Sequence, residues 1–416
     1  MRQGIAIHSH GEIYISGICL NNGEYQMGKI VFFNIPAHGH TNPTLGLVKE
    51  LIARGHEVYY YSYDLLRENI ESSGAHFISC DEHDLQTRLS EEDRLRLGKD
   101  LAFSTKLIVD TTLALDDAIK QDMSTLKPDV IVSDSMAFWG KLIALKLGIP
   151  FVSSTTTFAF NRYSSKIMKR SGGSLIRLLL SMPKINKDLN RLRAKGYNIK
   201  NVFSIITNDN DTSTIVYTAP EFQPCADTFS DKYSFVGTSI RPIEKEMEKP
   251  KGTLIYISLG TINNSNLAFY KNCVAAFEDG KYNVIISVGE QLGSDILPDI
   301  PDNITIAQSV DQMAVLSIAD VFLTHCGMNS VNEALYFGVP MLLFPQMPEQ
   351  LGVAVHTSNM CVGIHLKNDS AASIRTSVDT IATDEKYKNS AKALSDAFRR
   401  CSGAKGAADA IEKVLG

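Results

Sequence analysis

Two doubly wound α/β domains facing each other across a cleft are the fold class that this sequence predicts, and three observations lead there. From Met27 onward, short β-branched and aromatic runs alternate with helical segments, the pattern of a parallel sheet covered on both faces. A charged, proline-bearing segment at 240–252 interrupts the alternation, which then restarts with new strands. At 416 residues and 44% hydrophobic content, the chain can bury two large cores.

Residues 1–26 have neither the basic start nor the continuous apolar run of a signal peptide, and they read as an extension outside the fold. His8 and His10 there form an H-x-H without further ligands nearby, which reads as a surface tail. The first domain is expected over 27–239. Its first strand, KIVFFNI (29–35), leads into PAHGHTN, with Asn42 expected as helix N-cap and Pro43 as the first helical residue. Leu45, Leu47, Val48, Leu51 and Ile52 supply the apolar face, and Gly55 ends the helix before strand EVYYYS. A second helix closes at Gly74, a polar helical stretch covers 84–126, and strand DVIVSD (129–134) returns to the sheet. Strands STIVYTA and YSFVGTS complete this domain before the 240–252 linker. The second domain, 253–416, carries strands TLIYISLG, NVIISVG, NITIAQ, DVFLTH and PMLLFP, and its C-terminal helices are free to pack back on the first domain. Such sheets bind ligands beyond the carboxyl ends of their strands.

A net charge of -5 gives no global attraction to nucleic acid or anionic membranes. Seven cysteines without C-x-x-C spacing argue against a disulfide framework or a zinc site, and fit a reducing, cytoplasmic setting. No apolar run reaches the roughly 20 residues of a transmembrane helix. The G-x-G-x-x-G fingerprint is absent after the first strand, so no NAD-type cofactor is expected.

The segment DVFLTHCGMNSVNEALYFGVPMLLFPQMPEQ (320–350) carries the most chemistry. A strand ends at His325, Gly327 permits a tight turn, and a helix starts near Met328 and stops at Gly338. Its free N–H groups and partial positive charge suit a phosphate. Asn329 and Ser330 lie in the first turn, and Glu333 one turn further on the same face.

His325-Cys326-Gly327-Met328-Asn329-Ser330, Glu333, Pro340, Pro345-Gln346 and Glu349-Gln350 resemble the UDP-sugar signature of UDP-dependent glycosyltransferases with two Rossmann-like domains (GT-B). The bacterial macrolide and flavonoid glycosyltransferases are the most similar of these, and NIPAHGHTNP, VIVSD, SLGT and AQSVDQ extend the likeness over nearly the whole chain from Lys29. The resemblance implies that His325, Asn329 and Ser330 contact the diphosphate at the Gly327 turn, and that Glu333 binds the ribose. It further implies hydroxyl contacts from Ser258 and Thr261 to phosphate, and a uracil-binding segment at Val310 and Gln312. Two departures stand there: Ser309 replaces the usual stacking tryptophan or arginine, and Asp311 the usual proline. Glu349 and Gln350 match the pair that receives donor-sugar hydroxyls, with glucose as the default hexose.

His38 and His40 follow the first strand at the mouth of the cleft. Sugar transfer with inversion needs a base for the attacking hydroxyl, and histidine suits this because its ordinary pKa is ~6.5. The resemblance selects His40 as base and Asp134 as its carboxylate partner; for Asp134 the alternative is an N-cap of the helix near Met136. No metal and no organic cofactor are expected, the UDP-sugar being a co-substrate; Asp209-Asn210-Asp211, the one D-x-D, reads as a turn. The expected partners are the UDP-sugar and a small acceptor, with no nucleic acid. Three rivals remain: a UDP-N-acetylglucosamine epimerase, a catalytically inactive sugar-nucleotide sensor, and a membrane-docked transferase acting on a lipid or cell-wall precursor. The last draws on the basic amphipathic segment 161–184, otherwise a lid over the acceptor pocket. The acceptor itself depends on loops Glu82–Thr112 and Ser153–Lys200, whose side chains follow no transferable code.

Overall fold

The computed structural model describes residues 27–83, 89–90, 93, 96, 100–167, 174–243, 245–261, 264–289, 292 and 300–416. The expected extension 1–26, with His8 and His10, lies outside them, as do Lys169 and Arg170 of the amphipathic segment.

The first half runs β1 (Lys29–Phe33), α1 (His38–Ala53), β2 (Glu57–Ser62), α2 (Arg67–Glu71), β3 (His76–Ser79), α3 (Leu101–Leu126), β4 (Val130–Asp134), α4 (Phe138–Leu147), β5 (Phe151–Thr155), α5 (Ser174–Ala194), α6 (Phe203–Ile206), β6 (Thr214–Val216) and β7 (Tyr233–Phe235). The second half runs β8 (Leu254–Ser258), α7 (Leu267–Phe277), β9 (Asn283–Ser287), β10 (Ile304–Ala307), α8 (Gln312–Ile318), β11 (Val321–Thr324), α9 (Met328–Phe337), β12 (Met341–Leu343), α10 (Pro348–Asn359) and β13 (Gly363–His365). Helices α11 (Ala371–Thr383), α12 (Glu385–Arg400) and α13 (Gly403–Leu415) close the chain.

Every strand pair among the described residues is parallel. The orders are β3-β2-β1-β4-β5-β6-β7 and β10-β9-β8-β11-β12-β13, so the two doubly wound sheets reverse direction between β1 and β4 and between β8 and β11. Continuous apolar runs explain the inner strands: Ile30 to Phe33, Val130 to Val132, Leu254 to Ile257 and Val321 to Leu323 are all buried.

Two features differ from the sequence reading. Asn42 is not an N-cap and Pro43 is not the first helical residue; α1 begins a turn earlier at His38, with Ala37 as N-cap and Pro43 inside the helix. The helical part of 84–126 is confined, among the described residues, to α3 and isolated positions before it.

Packing ties the ends together. Ala407, Ala408 and Ile411 of α13 lie in the core of the first sheet, and Arg54 of α1 contacts Asp409 and Glu412 at 2.7 Å each. In the other direction, Ala219 and Phe222, just past β6, are buried among second-half residues such as Tyr256, Leu335 and Phe398.

Candidate active site

A winding reversal opens a crevice at the carboxyl ends of the two strands beside it. In the first sheet those strands end at Phe33 and Asp134, and His40 reaches the crevice from the first turn of α1. His40 Nδ1 lies 2.8 Å from Asp134 Oδ2. Asp134 Oδ1 meanwhile accepts the Met136 N–H at 2.8 Å, so one carboxylate both holds the turn into α4 and faces the imidazole. The Asp134 side chain is fully buried, whereas that of His40 is 20% exposed. Burial works against protonation of His40, but the charge and hydrogen bond of Asp134, joined by the charge of Glu349, outweigh it and raise its pKa above 6.5. His38 takes no part in this arrangement.

Two residues not singled out in the sequence hold this loop. Buried Asn34 donates from Nδ2 to the His40 carbonyl at 3.0 Å and to the Tyr60 hydroxyl at 2.8 Å. Thr156, just past β5, places Oγ1 3.0 Å from His40 Nδ1. An amide interrupting the apolar end of a strand was the available signal for Asn34; nothing in the sequence marks Thr156 among three consecutive threonines.

The position of Pro43 has a consequence across the cleft. Without an N–H it cannot bond to the carbonyl four residues earlier, that of Gly39. That carbonyl accepts instead from Asn329 Nδ2 of α9 at 2.7 Å, linking the two halves beside His40.

The second reversal brings together Ser258, which ends β8, and His325, which follows β11. The His325 ring lies against two glycines: a Cβ on Gly260, whose φ is +77°, would sit 2.5 Å from its Cε1, and one on Gly327 would crowd its Nε2. Burial pushes His325 down to about 4, with the Ser258 backbone opposing, so the ring is neutral near pH 7. Its Nδ1 is buried with no hydrogen-bond partner among the described residues. Helix α9 starts next to it at Met328; its N-cap, Gly327, has no side chain to occupy the free N–H groups. Ser258 Oγ accepts the Gly260 N–H at 3.3 Å, and Thr261 lies exposed on the same loop.

Deeper along α9, Gln312 Nε2 donates to the Glu333 carboxylate and lies 3.4 Å from Ser330 Oγ, while Gln312 Oε1 accepts from the Tyr256 hydroxyl at 3.1 Å. Burial pushes Glu333 up to about 7, opposed by Gln312 and by the charge of Arg241. Half-buried Val310 precedes this group. Asp311, where the family has proline, accepts N–H groups of Met313 and Ala314 and so caps α8. On the last loop, Glu349 is exposed toward His40, and Gln350 turns Oε1 back to the N–H groups of Gln346 and Met347 at 2.8 and 3.1 Å. Only the Gln350 amide nitrogen is left for other partners. Asp209 accepts from Asp211 and Thr212 in a turn.

Comparison with known proteins places the whole chain in one family. Residues 273–402 match the family described as erythromycin biosynthesis protein CIII-like, C-terminal domain. The NDP-glycosyltransferase YjiC of Bacillus licheniformis is 32% identical over 397 residues, spanning 93% of this chain and 97% of its own. Demethyllactenocin mycarosyltransferase of Streptomyces fradiae is 29% identical, over 95% of this chain and 88% of its own. The glycotransferase of kitacinnamycin has the same fold, with a TM-score of 0.79 at 24% identity over 94% of this chain and all of its own. The same fold and a full-length relative at this identity make the chain a member of the two-domain (GT-B) NDP-glycosyltransferase family.

Proposed function

We propose that this enzyme transfers a hexose, glucose by default, from a UDP-sugar to a hydroxyl of a small macrolide or phenolic acceptor, with inversion and without a metal ion. The observation that carries the reading is the His40 Nδ1 to Asp134 Oδ2 contact of 2.8 Å at the first winding reversal. Both hydrogen bonds of the ring, among the described residues, are at Nδ1, which suits Nε2 to act as base. In the proposed step the acceptor O–H gives its proton to Nε2, the oxygen bonds to the sugar C1, and the C1–O bond to the diphosphate breaks. Asp134 stabilises the imidazolium that results.

The donor occupies the second reversal. Its diphosphate faces the free N–H groups of α9, the neutral His325, Asn329, Ser330, Ser258 and Thr261 about the Gly327 turn; Glu333, Gln312 and Val310 take the nucleoside; Glu349 and the Gln350 amide meet the sugar. Asn329 exchanges the Gly39 carbonyl for phosphate when the donor enters. A neutral diphosphate site of N–H donors supports leaving-group departure without a cation. The reaction is assigned to the cytoplasm, in keeping with unpatterned cysteines; no helix among the described residues is long and apolar enough to cross a membrane.

The test is to incubate the protein with UDP-glucose or UDP-galactose and a panel of phenols and macrolides, with and without EDTA. A hexose mass increment, an inverted anomeric centre by NMR and an EDTA-insensitive rate are expected. Magnesium-reversible loss of activity, or a retained anomeric configuration, would overturn the metal-independent or the inverting part.

A further inference from the structure

Nδ1 of His40 has a single site, which can hold one hydrogen or one lone pair. Two oxygens converge on it, Asp134 Oδ2 at 2.8 Å and Thr156 Oγ1 at 3.0 Å. They come from different strands: Asp134 ends β4, whereas Thr156 lies one residue past β5 and is 4% exposed. A carboxylate accepts only, so Nδ1 carries the hydrogen. The hydroxyl then accepts a share of it in a three-centre bond. Rotation of the ring in either direction weakens one of the two bonds.

We propose that Thr156 is a positioning residue for His40, sharing the Nδ1 hydrogen with Asp134 and thereby fixing the tautomer whose Nε2 faces the acceptor. This rests on the reading of His40 as base. The side chain of Thr156 acts through His40 and need not touch the sugar. The charged groups that face His40 are Asp134 of β4 and Glu349 of α10, and both remain when Thr156 is changed.

The sign of the effect is fixed by the direction of the bond. An accepting oxygen stabilises the imidazolium more than the neutral ring, so its loss lowers the His40 pKa. A hydroxyl donating to a bare Nδ1 would stabilise the neutral ring, and its loss would raise that pKa.

The experiment uses Thr156→Val, nearly isosteric without the hydroxyl, and Thr156→Ser, which restores it. Ring nitrogens are followed by NMR after 15N-histidine labelling, with His40→Gln assigning the resonance among the ten histidines. Turnover with UDP-glucose is measured across pH. For Thr156→Val the expected results are a larger share of the Nε2–H tautomer, a lower His40 pKa, a kcat about 3- to 10-fold lower, as for one hydrogen bond, and an unchanged UDP affinity. Thr156→Ser should recover all of them. An unaltered tautomer and pKa in Thr156→Val would overturn the proposal, as would a raised pKa. If the NMR changes appear while kcat stays at the wild-type value, Thr156 does hold the ring and it is the assignment of His40 as base that fails.

Discussion

Burial moves two donor-side residues in opposite directions along the pH scale: His325 goes down to about 4 and Glu333 up to about 7. Both shifts favour neutral groups, which suits the proposed diphosphate site, where a charged carboxylate would repel phosphate. Glu333 yields a stability prediction. Its ordinary pKa of 4.5 applies when unfolded, so between 4.5 and about 7 the folded protein binds a proton that the unfolded chain has lost. Stability therefore falls as pH rises through that window, and the loss is complete above about 7. Glu333→Gln, neutral throughout and able to accept from Gln312, should be more stable than wild type at pH 8.5. The difference should be at most on the order of 3 kcal/mol and should shrink toward zero near pH 5. Denaturant unfolding at the two pH values checks this; equal stability at pH 8.5 would mean that Glu333 is ionised without penalty.

Elements were legible where pattern and punctuation agreed. Helix α9 runs Met328–Phe337 with Gly338 in left-handed conformation at its C-cap, as Gly327 and Gly338 in the sequence predict. Strands β3, β5 and β13 carry no clear sequence signal. HFIS and GIH are too short to show a period, and FVSST is rich in small hydroxyl residues that also suit loops. Asn42 and Pro43 are the residue types that mark a helix start, whereas Ala37, the N-cap of α1, makes no side-chain cap bond, so the sequence carries no signal for the earlier start. Helix α4, which carries the turn after Asp134, packs so closely on the sheet that Gly140 leaves no room: a Cβ there would lie 2.7 Å from Ser133 Cβ and 2.9 Å from Phe33 Cβ. Gly140→Ala must push α4 off β1 and β4. It should cost about 1 to 3 kcal/mol in denaturant unfolding and reduce turnover by disturbing Asp134. A fully stable and active variant would show that α4 can shift freely.

The two halves are joined by more than the continuity of the chain. Asn332 of α9 donates to the Tyr217 carbonyl at 2.8 Å and accepts from Thr218 Oγ1 at 3.0 Å, all buried, and His356 Nε2 meets the Phe222 carbonyl at 2.8 Å. Asn332→Ala strands two polar groups between the halves and should cost roughly 1 to 3 kcal/mol. Equilibrium unfolding with and without UDP measures this, and a loss below about 0.5 kcal/mol would mean that water replaces the amide. Of the candidate site, the residues of the 320–350 signature and the His40 and Asp134 pair come from the family resemblance of the sequence, and the structure brings His40 and Asp134 together. Asn34, Thr156 and the Asn329 to Gly39 bond could not, because each depends on which strands and halves are neighbours. In the proposed reaction His40 takes the acceptor proton while α9 holds the donor, and His40→Ala separates these two duties. With an unactivated alcohol and UDP-glucose, transfer should fall by about 10² to 10⁴, while UDP affinity by calorimetry stays within about twofold, because the proposed base acts on the acceptor and does not hold the donor. Wild-type turnover in this variant would mean that His40 is not the base.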